Sequence, residues 1–489
     1  MLFTLIVILG LGNLPAPPAL AQGNRFDNLA DCDFERPIPE LEVGAVVYNW
    51  NTGAGCTESL DTAFPMASVG KIFVAATLYR EIYEGRLSFD QTLTFSADYY
   101  TGGGNACLTR SNIGQTFDIG YLGNIMIMCS DNSATWMLMD LLGWQNVNNY
   151  ITSLGIDGLG TIIPYSEVDR LKLTLLDSQW ANVPRHLASQ FIRERRTAEL
   201  VPTYFNRAPS YSQSELKRAN AEYVARYDYN TATPRAIATY FNRLREDIRS
   251  DDSLRATIAQ WLFNTMLLTQ RVYSTQYLPG RVYVGSKNGF DVGYRAEVSI
   301  TLDDFEDYVP ETLTVIVVKH RNIDSSSVSN RLSQGPTVDF LQLAGKTIAQ
   351  VLYPNDDGTQ IPLVKADPRV SRVVANTRDK LIGCWNTFTS NDNTAQLYQC
   401  WQGVSFVAAI DSGDWMGVGV VLHNLEQQDA RVTIIYTDPN NIPHAYQLHR
   451  FWTDSTAVSW FEQVEARGSW RLDVYFNLQP VFSQIFIVR

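Results

Sequence analysis

The chain has no Cys-x-x-Cys pair and only five histidines in all, so neither a metal site nor a cofactor is expected. It has no excess of positive charge: 39 Lys and Arg face 51 Asp and Glu, for a net charge of −12. A phosphate backbone needs a basic field, so a nucleic-acid partner is argued against. Long apolar runs are missing as well. Leu2 to Leu11 is the longest at the N-terminus, prolines follow it, and it falls short of the ~18–20 residues needed to span a bilayer. No low-complexity tract or internal repeat interrupts the chain.

What is present describes a globular protein. At 489 residues, 45% hydrophobic and 18% charged, the chain can fill two domains. The apolar Leu2 to Leu11 run and the small-x-small site Ala19-Leu20-Ala21 read as a signal peptide over residues 1–21, cleaved before Gln22. Its first residues lack the usual Lys or Arg. No cysteine follows the site, which argues against a lipid anchor. A secreted or periplasmic protein without a stable membrane span is expected, in a compartment that permits disulfides. Six cysteines leave the pairing open. Cys384–Cys400 is the first expectation and Cys32–Cys56 the next, while a Cys107–Cys129 link would tether two loops beside Ser130.

The most informative stretch is Phe64-Pro65-Met66-Ala67-Ser68-Val69-Gly70-Lys71. If Ser68 opens a helix, Lys71 lies one turn along on the same face. An alcohol is a weak nucleophile until its proton is taken, and a desolvated amine can take it. Ser-x-x-Lys alone is common; Ser214-Glu215-Leu216-Lys217 repeats it in a polar, charged stretch. Two further elements decide between them. Cys129-Ser130-Asp131-Asn132 closes the apolar run Ile125 to Met128 and opens a helical stretch from Ser133 to Leu142. Lys287-Asn288-Gly289 lies on a strand and precedes another, Arg295 to Leu302.

The ordered set Ser-x-x-Lys, Ser-Asp-Asn, Lys-x-Gly resembles the signature of the class A β-lactamases and their penicillin-binding relatives, over about residues 40–350. Leu41 to Tyr48 as a first strand, the turn Asn51-Thr52-Gly53, the turn Gly85 to Asp90 and a helix start at Thr233-Pro234 agree with it. The resemblance implies an α+β fold in residues 22–352: an antiparallel sheet with helices on both faces, plus an all-helical subdomain. It also implies the roles. Ser68 attacks a carbonyl to form an acyl-enzyme, and Lys71 is its base or proton relay. Ser130 passes a proton to the leaving nitrogen, and Lys287 supplies positive charge. The backbone N–H groups of Ser68 and Phe290 form the oxyanion hole beside Gly289. Asn132 binds the substrate's amide, Asn288 its carboxylate, and Asp131 holds its own loop. Arg295, on the strand after Lys287, suits either a carboxylate clamp or an exposed strand arginine.

Two departures divide the functional reading. Asn288 stands where the family usually has threonine or serine. The Glu-x-x-Leu-Asn pattern that carries the water-activating glutamate is not found. Glu167 lies at a suitable distance beyond Asn132, although Asp169 and Arg170 beside it also suit a surface ion pair. Hydrolysing an acyl-enzyme quickly requires a positioned water and base. The first reading is therefore a serine hydrolase that opens β-lactams. The alternative is a penicillin-binding D-Ala-D-Ala peptidase acting on peptidoglycan peptides, and a third is a non-turnover binding protein.

Residues 160–230 exceed the corresponding family loop and read as a helical insertion, with helices from Arg185 to Leu200 and Gln213 to Tyr227. Arg193, Arg195 and Arg196 make it locally basic. It is either a lid over the pocket or a surface decoration. Residues 353–378 read as a linker, and residues 379–489 as an all-β sandwich of short strands. That part carries Trp385, Trp401, Trp415, Trp452, Trp460 and Trp470. They suit either buried core rings or a platform for a glycan or cell-wall ligand.

Overall fold

The computed structural model describes residues 25–489 apart from 102–106, 195–196, 268, 270–271, 280–281, 292, 303–308, 321–329, 357–369, 379–380, 382–408, 423–427, 440–442, 453–455 and 477–478. The expected signal peptide, Cys384, Cys400, Trp385, Trp401, Arg195 and Arg196 lie outside the described residues.

The fold is α+β. A six-stranded sheet runs in the order Ala30–Asp31, Gly55–Glu58, Leu41–Asn49, Thr312–His320, Tyr294–Leu302, Tyr283–Asp291. Its pairings are antiparallel except at the short edge strand Ala30–Asp31. Alternate residues serve two cores, as strand geometry requires. Leu41, Val43, Ala45 and Val47 pack with Phe340, Leu341, Ala344 and Ile348 of the helix Asn330–Leu352 on one face. Val46, Val315, Ala296 and Val298 join the other core with the helices Lys71–Tyr83, Pro234–Ile248 and Ser253–Leu267. Thr233 caps the second of these through Ala236 N, with proline in the first turn as expected. Helices Ile119–Met128, Asn132–Leu142 and Trp144–Ser153 complete the helical part. Cys32 pairs with Cys56 and Cys107 with Cys129.

The insertion folds around its own core of Leu173, Trp180, Val183, Leu187, Ala188, Phe191, Leu200 and Phe205. Arg185–Glu194 and Gln213–Arg226 are helical, near the expected spans, and a third helix, Tyr165–Thr174, was not expected. Arg185 reaches back to Asp140 and lies over the Trp136 ring.

The expected linker is shorter than read, because Val370–Thr377 is a strand paired with Trp415–Leu422. Thr456–Gln463 completes this three-stranded sheet. A five-stranded sheet runs Ala409–Ile410, Gln479–Val488, Gly468–Phe476, Gln428–Thr437, Pro443–Trp452. Met416, Val418 and Val420 share one core with Val432, Ile434, Leu472 and Val474 of the second sheet, which makes a sandwich. Trp470 is buried in it and donates to Ala466 O, whereas Trp415 is 39% exposed with Arg378 over its ring. Among the described residues no helix is long and apolar enough to cross a membrane.

Candidate active site

Ser68 lies in a single 3-10 turn, Ala67–Gly70, that leads directly into the helix Lys71–Tyr83. Ala67 takes a positive φ of 47°, an unfavourable conformation for a residue with a Cβ, held here by the surrounding backbone. Met66 N donates to Asn230 O, and Asn230 also bonds both backbone groups of Ile163. One asparagine thus ties the serine turn to the start of the insertion. On the other side the strand Tyr283–Asp291 comes so close that a Cβ on Gly289 would lie 2.5 Å from Ser68 N.

Lys71 is 3% exposed, and in its ammonium form the amine has three acceptors in reach. Nζ donates to Ser130 O at 2.5 Å, Asn132 Oδ1 at 2.7 Å and Ser130 Oγ at 3.3 Å. Ser130 presents both oxygens because its φ is +57°, at the turn between Ile119–Met128 and Asn132–Leu142. Asp131 shapes that turn: its buried carboxylate accepts from Ala134 N and Leu108 N, both at 2.8 Å. Burial lowers the Lys71 pKa to about 7, against the opposing pull of Asp131. Lys287 is fully buried and donates to Asn288 O at 2.5 Å. Burial, then the positive charge of Lys71, holds its pKa well below the ordinary lysine value. The arrangement is a half-buried serine hydroxyl one turn from an amine that can exist neutral near pH 7.

Not every expected residue converges here. Lys287 and Gly289 pair with Val298 and Ala296, which belong to the helix-side core; Asn288 and Phe290 pair with Glu297 and Arg295 on the opposite face. Arg295 therefore sits away from Lys287, its guanidinium over the rings of Phe290 and Tyr273. It shares that face with Asn288, its expected partner for a substrate carboxylate. Glu167 is drawn off: both its oxygens accept from Arg170, at 2.6 and 3.0 Å. A cavity of about 30 Å³ opens beside Lys71 and Asn132, and the residue of that helix that reaches it is the neighbouring Ser166, with Tyr165. Sequence reading missed Ser166, Trp136 and Asn230. The only local signal was Pro164-Tyr165-Ser166 at a helix start. Among the described residues no cluster of acidic, histidine and cysteine side chains could hold a metal.

Residues 33–314 match the model of the beta-lactamase enzyme family. The chain belongs to that family. A beta-lactamase of Streptomyces cellulosae is 28% identical over 151 residues, 30% of this chain and 49% of that protein, so the chain spans about half the length of this curated relative. Among solved structures, a beta-lactamase from Francisella tularensis is 18% identical with a TM-score of 0.44, covering 64% of this chain and 94% of that one. A point mutant of PBP-A, solved as an acyl-enzyme complex with penicillin G, is 15% identical with a TM-score of 0.40, covering 64% and 92%.

Proposed function

We propose that this family member is an exported serine hydrolase that opens β-lactam amides through an acyl-enzyme on Ser68. The observation that carries the reading is the buried Lys71 amine, one turn from Ser68 and held by Ser130 and Asn132. Neutral Lys71 takes the Ser68 proton as Oγ bonds to the carbonyl carbon. Charge developing on the carbonyl oxygen is met by the Ser68 N–H, with the Phe290 N–H as its partner. As the tetrahedral adduct collapses, the C–N bond breaks and the nitrogen takes a proton from Ser130 Oγ, which Lys71 replenishes at 3.3 Å. Lys287 supplies the positive field for an anionic substrate. Asn132 turns its oxygen to Lys71, which leaves its NH₂ for the substrate's amide carbonyl.

A second reading is a penicillin-binding peptidase of cell-wall peptides, favoured by one feature: among the described residues no carboxylate lines the cavity beside Lys71. The two differ only in how quickly the acyl group leaves. Intact mass of the protein mixed with benzylpenicillin, read from seconds to hours beside Ser68→Ala, separates them. Drug consumed with the protein returned free supports hydrolysis. A persistent one-drug adduct supports the peptidase, and no reaction at all would refute both.

A further inference from the structure

We propose that the Cys107–Cys129 disulfide positions Ser130, holding in place the hydroxyl that protonates the leaving nitrogen; this rests on the Ser68 acyl-enzyme reading above. The turn that presents Ser130 lies between the helices Ile119–Met128 and Asn132–Leu142, and three ties fasten it to Thr101, Cys107 and Leu108. Cys129, the residue before Ser130, is bonded to Cys107. Asp131, the residue after it, accepts from Leu108 N at 2.8 Å. Ser133 Oγ accepts from Thr101 N at 3.1 Å and bonds to Thr101 Oγ1 at 3.1 Å. Thr101, Cys107, Leu108, Cys129, Asp131 and Ser133 are all buried, while Ser130 among them is half-buried.

The ties act where the backbone is least favourable. Ser130 has a φ of +57°, a conformation that a residue with a Cβ keeps only when its surroundings enforce it. That conformation turns both Ser130 oxygens to the Lys71 amine. A turn relaxed to negative φ would carry the hydroxyl away from Lys71. The covalent tie fixes the residue immediately before this one, and the Asp131 carboxylate fixes the residue immediately after. The other disulfide, Cys32–Cys56, belongs to the core on the opposite face of the sheet and has no such neighbour.

Ser130 serves one kind of bond breaking and not another. When an amide is attacked, the C–N bond breaks as the nitrogen takes the Ser130 Oγ proton, which Lys71 replaces. When a thioester is attacked, the C–S bond breaks and the sulfur leaves as thiolate, with no proton needed. The proton taken from Ser68 then stays on Lys71 and passes to solvent. Both reactions place an acyl group on Ser68, and both use Lys71 and the oxyanion amides. A displaced Ser130 therefore slows the amide and spares the thioester, whereas a loosened site slows both.

The test compares acylation by benzylpenicillin with acylation by the phenylacetylglycyl thioester of thioglycolate, by rapid-quench intact mass. Cys107→Ala/Cys129→Ala lowers the benzylpenicillin rate about tenfold or more, within the ~100-fold or more that a general acid contributes. The thioester rate falls by less than about twofold. Ser130→Ala costs less in that variant than alone, because both changes act on one proton. Cys32→Ala/Cys56→Ala leaves the ratio of the two rates unchanged. Ser133→Ala, which removes only the Thr101 bonds, moves the ratio the same way by about threefold, the worth of a hydrogen bond. It carries the test where the double-cysteine variant does not fold. Equal slowing of both substrates, unchanged rates, or additive losses with Ser130→Ala overturn the positioning role alone. An unmodified protein acylated by neither substrate overturns the acyl-enzyme reading, and the role of the disulfide with it.

Discussion

Gly289 and Ser68, 221 positions apart in the chain, meet so closely that a Cβ on the glycine would lie 2.5 Å from the serine's amide nitrogen and 3.0 Å from Met66 O. Both of those atoms are backbone, so neither can swing aside. Gly289→Ala must push the strand away from the serine turn and, on the proposed mechanism, misalign the amide assigned to the oxyanion. Acylation by benzylpenicillin should fall at least ~100-fold, the usual cost of a lost oxyanion donor. Stability should fall by only about 1–3 kcal/mol, the cost of overpacking. Stopped-flow acylation and thermal unfolding of the same variant check this; an intact acylation rate would remove Gly289 from the site.

On the proposed mechanism, Lys71 should set the pH dependence of acylation. Its pKa is lowered to about 7 because burial disfavours the ammonium form, and only the neutral amine can accept the Ser68 proton. The acylation rate should therefore rise with pH through about 7 and level off above it. Lys71→Arg keeps a cation but stays protonated at every accessible pH, so the limb should vanish with the activity. Folding stability carries the same signature. The unfolded lysine binds its proton up to the ordinary lysine value while the folded one loses it near 7, so stability from this group rises with pH across that interval. A rate that is flat from pH 5 to 9 would assign the proton transfer to another group.

Glu167 should prove dispensable to the chemistry. It lies on the helix Tyr165–Thr174 with Arg170 three residues on, and the pair closes in a bidentate arrangement on the side chain of Arg170. A partly exposed pair of this kind contributes roughly 0–1 kcal/mol. Glu167→Gln should lower stability within that range and change the lifetime of the penicillin adduct by less than about twofold, well short of the ~100-fold or more that loss of a general base costs. A lifetime extended a hundredfold would restore the glutamate to the role its sequence position invited.

The contrast between Ser166 and Glu167 marks where the sequence stopped being legible. Ser68, Lys71, Ser130 and Lys287 were readable because each motif carries its own spacing, and the strand, turn and helix boundaries around them obey local rules such as the Thr233 cap. Adjacent residues on a helix differ by about 100° in direction, and the choice between them belongs to tertiary packing. Nothing local says that Arg170 captures one carboxylate while the serine before it lines the cavity beside Lys71. The face taken by Arg295 was not legible for a related reason: its register with Phe290 puts it on the Asn288 side of the sheet. In the sandwich, Val370–Thr377 read as linker because its Arg372 and Asn376 break the apolar pattern, and pairing with Trp415–Leu422 overrides that.

The insertion offers the last check, on whether it serves the site or merely decorates it. Trp180 is fully buried at its centre, its ring 5.0 Å from Phe191 and 4.9 Å from Phe205, and its N–H donates to Tyr211 at 3.0 Å. Trp180→Ala removes that centre, which costs about 3–5 kcal/mol where the cavity cannot collapse. Because the insertion has a core separate from the sheet's, the loss should be local. Amide exchange should quicken from about residue 162 to 211 while strands Leu41–Asn49 and Thr312–His320 keep their protection. The insertion also supplies Ser166 and Ser189 to the cavity beside Lys71. Adduct loss should therefore slow in Trp180→Ala more than adduct formation does. Formation and loss slowed equally, with exchange quickened throughout the sheet, would instead make the insertion part of the structural core and remove its particular claim on the acyl-enzyme.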